Sequence, residues 1–179
     1  MNRNHAAAAL RQWDERGRYV FALRDLAKLF PTDSPKTLAA GLARLARAGL
    51  LQRVCRGVYV HPHARSFDRY VLERIAAILR RGAYSYVSLE SMLAEYGIIS
   101  QIPVDRLTVM TTGRKGLCST PYGVIEFTHT HRPLASLLAG TMWIENRPLR
   151  VATARTAWRD LKRVGRNLHL VDVMEIPDA

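Results

Sequence analysis

The chain has 179 residues, enough for one compact domain or two small ones. With 48% of them hydrophobic and 23% charged, the composition is that of a folded globular protein rather than a disordered one. Lys and Arg number 27 against 15 Asp and Glu, a formal net charge of +12, and 23 of the 27 cations are Arg. Such an excess of planar, permanently ionised side chains points to a polyanion, with nucleic acid the first candidate and an anionic membrane surface the second. No run of 18 or more apolar residues is present, which excludes an apolar membrane-spanning helix. Residues 1–10 contain an apolar run of only five and no signal-peptide pattern. Cys55 and Cys118 are too few for a disulfide framework or a thiolate zinc site. A cytoplasmic protein without a cofactor or metal is expected.

The charge is uneven along the chain. Residues 1–69 hold thirteen Lys and Arg against five Asp and Glu, and residues 70–179 hold fourteen against ten. A boundary is expected near 61–66, where Pro62 and polar residues interrupt the pattern, giving domains over 1–65 and 66–179.

In the first part, Asn4 is read as the cap of a helix to about residue 15, with Ala7, Leu10 and Trp13 on its buried face, and Gly17 ends it. Residues 19–21 read as extended and 23–30 as a short helix with Leu23, Leu26, Leu29 and Phe30 inward. After the turn at 31–33, Ser34-Pro35 supplies a cap followed by Pro at the first helical position. The helix runs to Ala48 with Leu38, Leu42 and Leu45 on one stripe, and Gly49 is its left-handed stop. Residues 50–54 and 58–60 form two short strands joined across Cys55-Arg56-Gly57. This order is the connectivity of a winged helix-turn-helix.

In the second part, residues 67–81 and 88–96 read as helices, 106–112 and 123–130 as strands, and 113–116 as a turn. Residues 132–140 read as a short helix, 141–144 as a strand, and 153–164 as a helix with Ala154, Ala157, Trp158 and Leu161 inward. Residues 168–174 fit strand or helix. The expected fold class is α+β: an N-terminal winged helix-turn-helix followed by a small mixed α/β C-terminal domain.

With the leucines of the 34–48 helix inward, its opposite face carries Lys36, Thr37, Ala40, Arg44 and Arg47. In a helix-turn-helix that face enters the major groove. Lys36 and Thr37 stand in the first turn, where free backbone N–H groups favour a phosphate, and Ala40 permits close approach and contact with a thymine methyl. Arg44 and Arg47 offer bidentate forks to guanine or phosphate. Arg53 and Arg56 at the hairpin suit a wing gripping the minor groove or flanking phosphates, and Arg65 extends the strip. No acidic residue occurs anywhere in 34–67. Cys55 is read as an inert thiol.

A resemblance adds to this reading. The segment Tyr86-Val87-Ser88-Leu89-Glu90-Ser91-Met92-Leu93-Ala94-Glu95-Tyr96-Gly97-Ile98-Ile99 resembles a stretch of AbiEi-type antitoxins of bacterial abortive-infection loci, a type IV toxin–antitoxin family. So do Leu107-Thr108-Val109-Met110-Thr111-Thr112-Gly113-Arg114, Tyr122-Gly123-Val124-Ile125-Glu126-Phe127-Thr128-His129 and the hairpin sequence Arg56-Gly57-Val58-Tyr59-Val60. The resemblance implies a winged helix that binds inverted repeats in its own promoter. It also implies a C-terminal domain for antitoxin activity against a nucleotidyltransferase-like toxin encoded beside it, neutralised in some systems without a stable complex.

Two further groups stand out. Glu126, His129 and His131, read as alternating on a strand, are expected on one face, as a polar strand face rather than a metal or catalytic site. Arg155, Arg159, Lys162, Arg163 and Arg166 recur at spacings of three and four, a second basic surface for DNA, RNA or an acidic partner. The first reading is a non-enzymatic DNA-binding repressor and antitoxin acting as a monomer or homodimer on DNA. The alternative is a small nuclease that a winged helix delivers to its substrate.

Overall fold

Asn2 opens the first helix of the computed structural model, which describes residues 2–99 and 105–176. Its side-chain oxygen accepts the Asn4 N–H at 2.9 Å, so the cap of α1 (Arg3–Asp14) lies two residues before the expected Asn4. After β1 (Val20–Ala22) comes α2 (Leu23–Leu29), which buries Leu26 but leaves Leu23 at 42% exposure, against the expectation that both point inward. The helix α3 (Pro35–Arg47) starts as the sequence dictates: Ser34 Oγ accepts the Thr37 N–H at 3.2 Å, and Pro35, which has no N–H to lose, fills the first position. Gly49, at φ +71°, takes the left-handed turn that lets the Leu50 N–H reach back to the Leu45 carbonyl. The hairpin β2 (Gln52–Cys55) and β3 (Val58–Val60) follows, and β1 pairs with the far edge of β3, giving an antiparallel sheet of order β1-β3-β2.

One apolar cluster joins these elements: Ala6 and Leu10 from α1, Phe21, Leu26 and Phe30, Leu38, Leu42 and Leu45 from α3, and Leu51. Burial of such side chains contributes about 1.5–3 kcal/mol each relative to exposure. The chain divides into two compact units, Met1–Val71 and Leu72–Ala179. Residues just after the hairpin are bound into the first. The Asp14 carboxylate accepts the Arg65 and Ser66 N–H groups at 2.8 and 2.9 Å and the Ser66 hydroxyl at 2.6 Å. The Tyr19 hydroxyl donates to Asp68 at 2.7 Å. Asp68 also accepts the Tyr70 N–H at 2.9 Å, an Asx turn that delays the expected helix over 67–81 to α4 (Val71–Leu79).

The second unit is built on a six-stranded sheet of order β6-β7-β5-β4-β9-β8. Its members are β4 (Ser85–Val87), β5 (Arg106–Thr111), β6 (Gly116–Thr120), β7 (Gly123–His129), β8 (Thr141–Met142) and β9 (Arg150–Ala152). The pairs β5/β7 and β4/β9 are parallel and the others antiparallel. Its helices are α4 from Leu72 onward, α5 (Leu89–Glu95), α6 (Leu134–Ala139) and α7 (Ala154–Val164). Three strands were not among the expected elements: β4 and β9 have only three residues each, and β6 is a largely exposed edge strand beginning where a turn was expected over 113–116. The run 168–174 is neither strand nor α-helix but two short 3₁₀ turns with an isolated bridge between Ile99 and Val171. The protein is α+β, with seven α-helices and two sheets among the described residues.

Charge is buried in this unit, and each buried charge is answered. Asp160 of α7 is 1% exposed. Its carboxylate accepts the Tyr86 and Ser88 hydroxyls, each at 2.9 Å, and pairs with Arg132 at 2.9 Å. Burial first, then the Asp160 charge beside it, push the Tyr86 phenol well above its ordinary range, so it stays a donor. Ser88 is held a second time through its carbonyl, which accepts the Thr108 hydroxyl at 2.6 Å, and Ser91 Oγ accepts the Thr108 N–H at 2.9 Å. Leu89 between them is fully buried at φ +59°, a left-handed conformation that a Leu holds only when its surroundings fix it. A second cluster centres on Arg147, 4% exposed, which pairs with Glu73 at 2.7 Å and Glu95 at 2.8 Å. The segment Tyr86-Val87-Ser88-Leu89-Glu90-Ser91 thus has a bonding task at nearly every position.

Replacing Asp160 by Ala leaves two buried hydroxyls and Arg132 without their acceptor, and the second unit is expected to lose about 3–5 kcal/mol in chemical denaturation. Asp14→Ala is expected to cost about 2 kcal/mol. Burial works to raise the Asp14 pKa, but the hydrogen bonds from Ser66 and Arg65 outweigh it and hold the group below its ordinary 3.8. The Asp14 contribution is therefore present above that pH and lost as the pH falls below it, so the wild-type and Asp14→Ala denaturation curves should converge in acid.

Candidate nucleic-acid interface

The rotation of α3 is set by its buried side: Leu38, Gly41, Leu42 and Leu45 face the first unit's core. Everything at the complementary angles is exposed, namely Lys36, Thr37, Ala40, Arg44 and Arg47, together with Ala39 and Ala43. The sequence reading named five of these and passed over Ala39 and Ala43. Their signal was the small side chains at the outward spacings, which keep that face low. Thr37 is tied back to the cap, its hydroxyl 2.9 Å from Ser34 Oγ. Arg44 and Arg47 stand in the last turn, where a cation also offsets the negative end of the helix dipole by about 0.3–1 kcal/mol. That contribution needs neither side chain to touch a ligand.

The hairpin puts Arg56 at the turn and Arg53 opposite Tyr59, both exposed. The register shifts between Arg53 and Cys55, a bulge that increases the local twist. Val54, Val58 and Val60 are buried beneath. Arg65 is exposed as well, although its backbone N–H is spent on Asp14. Cys55 and Cys118 are not joined in a disulfide, and both are half-buried.

The expected second basic surface does not stay together. Arg155, Arg159 and Lys162 are exposed and line a cleft of about 670 Å³ with Trp158, Ser136 and Gly140. Arg163 lines a different cleft. Arg166 leaves the surface set altogether: it donates to Glu90 at 2.8 Å and pairs with Glu126. Trp158, expected inward, is half-buried with Lys162 Nζ 5.2 Å from its ring centre. Helical spacing placed the five cations on one side of α7 but could not show which carboxylates waited there.

Glu126, His129 and His131 do not share a face. A separation of three residues along a strand puts Glu126 and His129 on opposite sides of the sheet. Glu126 lies toward α7, between Arg166 and Arg106, the latter at 2.7 Å. Burial pushes its carboxyl up, but the bonds from the two guanidiniums outweigh this and hold it below its ordinary value, as an ionised counter-ion. His129 belongs to the other side, with Nδ1 2.6 Å from the Gly113 carbonyl and Nε2 3.3 Å from His131 Nδ1. Among the described residues no group of three or more His, Cys, Asp or Glu is placed to hold a metal ion. None of their helices is long and apolar enough to cross a membrane.

No protein-family model matches the chain, and no curated protein matches it. Among solved structures it is similar to the crystal structure of RV2827C protein from Mycobacterium tuberculosis, with a TM-score of 0.50 and 17% sequence identity. The likeness covers 76% of this chain and 50% of that one, so the chain spans about half the length of that protein. At this identity the likeness concerns the fold alone, a mixed α+β architecture.

Proposed function

We propose that the first unit is a winged helix-turn-helix that binds double-stranded DNA, and that the protein is a transcriptional autorepressor serving as the antitoxin of a toxin–antitoxin pair. The observation that carries the DNA reading is the setting of α3, whose leucines are buried while Lys36, Arg44 and Arg47 stand outside. No Asp or Glu occurs within 34–67. In this reading α3 enters the major groove. Ala39, Ala40 and Ala43 let its axis approach the bases, and Arg44 and Arg47 supply forks to guanine or phosphate. The β2–β3 hairpin is the wing, with Arg53 and Arg56 against the minor groove or the flanking phosphates.

The antitoxin role rests on the resemblance of the second unit's segments to AbiEi-type antitoxins. Its partner is a nucleotidyltransferase-like toxin encoded beside it, and the protein acts in the cytoplasm without catalysis of its own. The nuclease alternative is not favoured by any observation, since Glu126 is occupied by two arginines.

On a fragment of the protein's own promoter, Arg44→Ala and Arg47→Ala are each expected to weaken specific binding by about 1–3 kcal/mol. If about six cations meet phosphates, the logarithm of affinity falls with the logarithm of salt at a slope of about −5. Unchanged specific binding by the double variant overturns the recognition-helix assignment. Co-expression with the adjacent toxin reads the other half: cells making the full chain should grow, and failure to protect them overturns the antitoxin role while leaving DNA binding intact.

A further inference from the structure

Residues 113–115 of the basic turn and the pair His129 and His131 take no part in the DNA reading, yet they line one cleft of about 750 Å³ in the second unit. Its walls come from three places in the chain: Arg114 and Lys115 from the β5–β6 turn, His129 and His131 from the end of β7, and Arg163 from the end of α7. Met110 and Val164 give it an apolar floor, and Thr112 and Thr128 add hydroxyls. No carboxylate is among the lining residues. Three permanent cations outweigh the roughly half negative charge of the α7 C-terminal end. They also make the site hostile to a metal cation, which the two imidazoles alone would otherwise invite.

The turn is built rather than loose. The Gly113 N–H donates to Thr111 Oγ1 at 3.0 Å, and the Arg114 carbonyl accepts Arg80 Nε at 2.8 Å. The Arg80 guanidinium itself lies 3.8 Å from the centre of the Phe127 ring. A Cβ on Gly113 would stand 3.0 Å from Ala83 Cβ and 3.3 Å from both Arg80 Cδ and Thr111 Oγ1, so a side chain here would make these neighbours give by a few tenths of an ångström. The imidazoles are ordered too. Because a carbonyl only accepts, the 2.6 Å contact with Gly113 puts a proton on His129 Nδ1. His129 Nε2 lies 3.3 Å from His131 Nδ1. The His131 side chain is exposed.

We propose that this cleft is a phosphate-binding site for the phosphoryl groups of a nucleotide unit, held by Arg114, Lys115 and Arg163 beside His129 and His131, with the nucleoside over Met110 and Val164. Forked guanidiniums and a lysine point charge on one side of a site match the spread charge of phosphate oxygens. The same chemistry is presented by a free nucleotide and by a single strand of RNA. The site is independent of α3, and its failure leaves the DNA reading untouched.

The test uses the full chain carrying Arg44→Ala and Arg47→Ala, so that binding through α3 is weakened. Two probes are titrated in the absence of metal: ATP and a ten-nucleotide oligouridylate. With all remaining residues intact, either probe should shift the imidazole ¹H–¹⁵N resonances of His129 and His131 and leave those of His5 and His169 in place. Adding Arg114→Ala with Arg163→Ala should weaken binding at least about tenfold, whereas Arg155→Ala with Arg159→Ala, the same charge removed from the other cleft, should change it less than about twofold. ATP that the oligouridylate does not displace marks a free-nucleotide site, and displacement by the tighter-binding strand marks a strand phosphate. Both outcomes support the proposal. Equal weakening by the two pairs of substitutions, or no movement of the His129 and His131 resonances with either probe, overturns it.

Discussion

The insertion of Leu38, Leu42 and Leu45 into the core of the first unit fixes the rotation of α3, and with it the direction of every polar side chain on that helix. The three are 6%, 1% and 3% exposed, and they meet Leu10 of α1, Phe21, Leu26 and Leu51 in one cluster. Rotating the helix by one residue, about 100°, would bring Ala39 and Ala43 inward and expose two leucines. The cost of that exchange, about 1.5–3 kcal/mol for each leucine exposed, is far above thermal energy. The basic face is therefore not a property of the cations themselves. It is what remains outside when the leucines are satisfied.

The second unit solves a different problem. Its sheet and helices bury Asp160, Glu73 and Arg147, groups that cost several kcal/mol each to desolvate unless they are paired and fully bonded. Pairing of this kind adds little net stability but penalises alternatives heavily. A slip of β4 by one residue would turn Tyr86 away from Asp160, and a shift of α7 would strand the same carboxylate. The left-handed Leu89 is held by this frame: Ser88 is bonded on one side to Asp160 and on the other to Thr108, and Glu90 to Arg166 and Asn167.

What was legible in the sequence followed from local chemistry. Ser34-Pro35 and Gly49 bracket α3 because a cap and a left-handed stop are encoded within a turn of the helix, and the leucine stripe needs only the helical period. The edge strand β6 was not legible, because exposed residues show no apolar alternation. The start of α4 was displaced by Asp68 and its long-range bond to Tyr19. In the second unit the decisive partners are far apart in the chain. Arg166 reaches Glu90 across 76 residues and Arg147 reaches Glu73 across 74. Spacing assigned Arg166 to a basic surface, and only the fold could reveal that its charge is spent. The error over Glu126 and His129 was of another kind: the strand's period of two, applied strictly, already separates them.

These pairings also decide where the net charge goes. In the second unit the carboxylates of Glu73, Glu90, Glu95, Glu126 and Asp160 are taken by Arg147, Arg166, Arg106 and Arg132. These are the structural arginines, and their ion pairs neutralise one another locally. The cations lining the two clefts beside α7, namely Arg155, Arg159 and Lys162 on one side and Arg114, Lys115 and Arg163 on the other, have no carboxylate among the lining residues. Potential in a concave site with low-dielectric walls is focused rather than screened. A modest excess of charge over the whole unit is thus gathered along the walls of two clefts. The +12 of the chain is therefore concentrated in places rather than spread as a uniform basic coat.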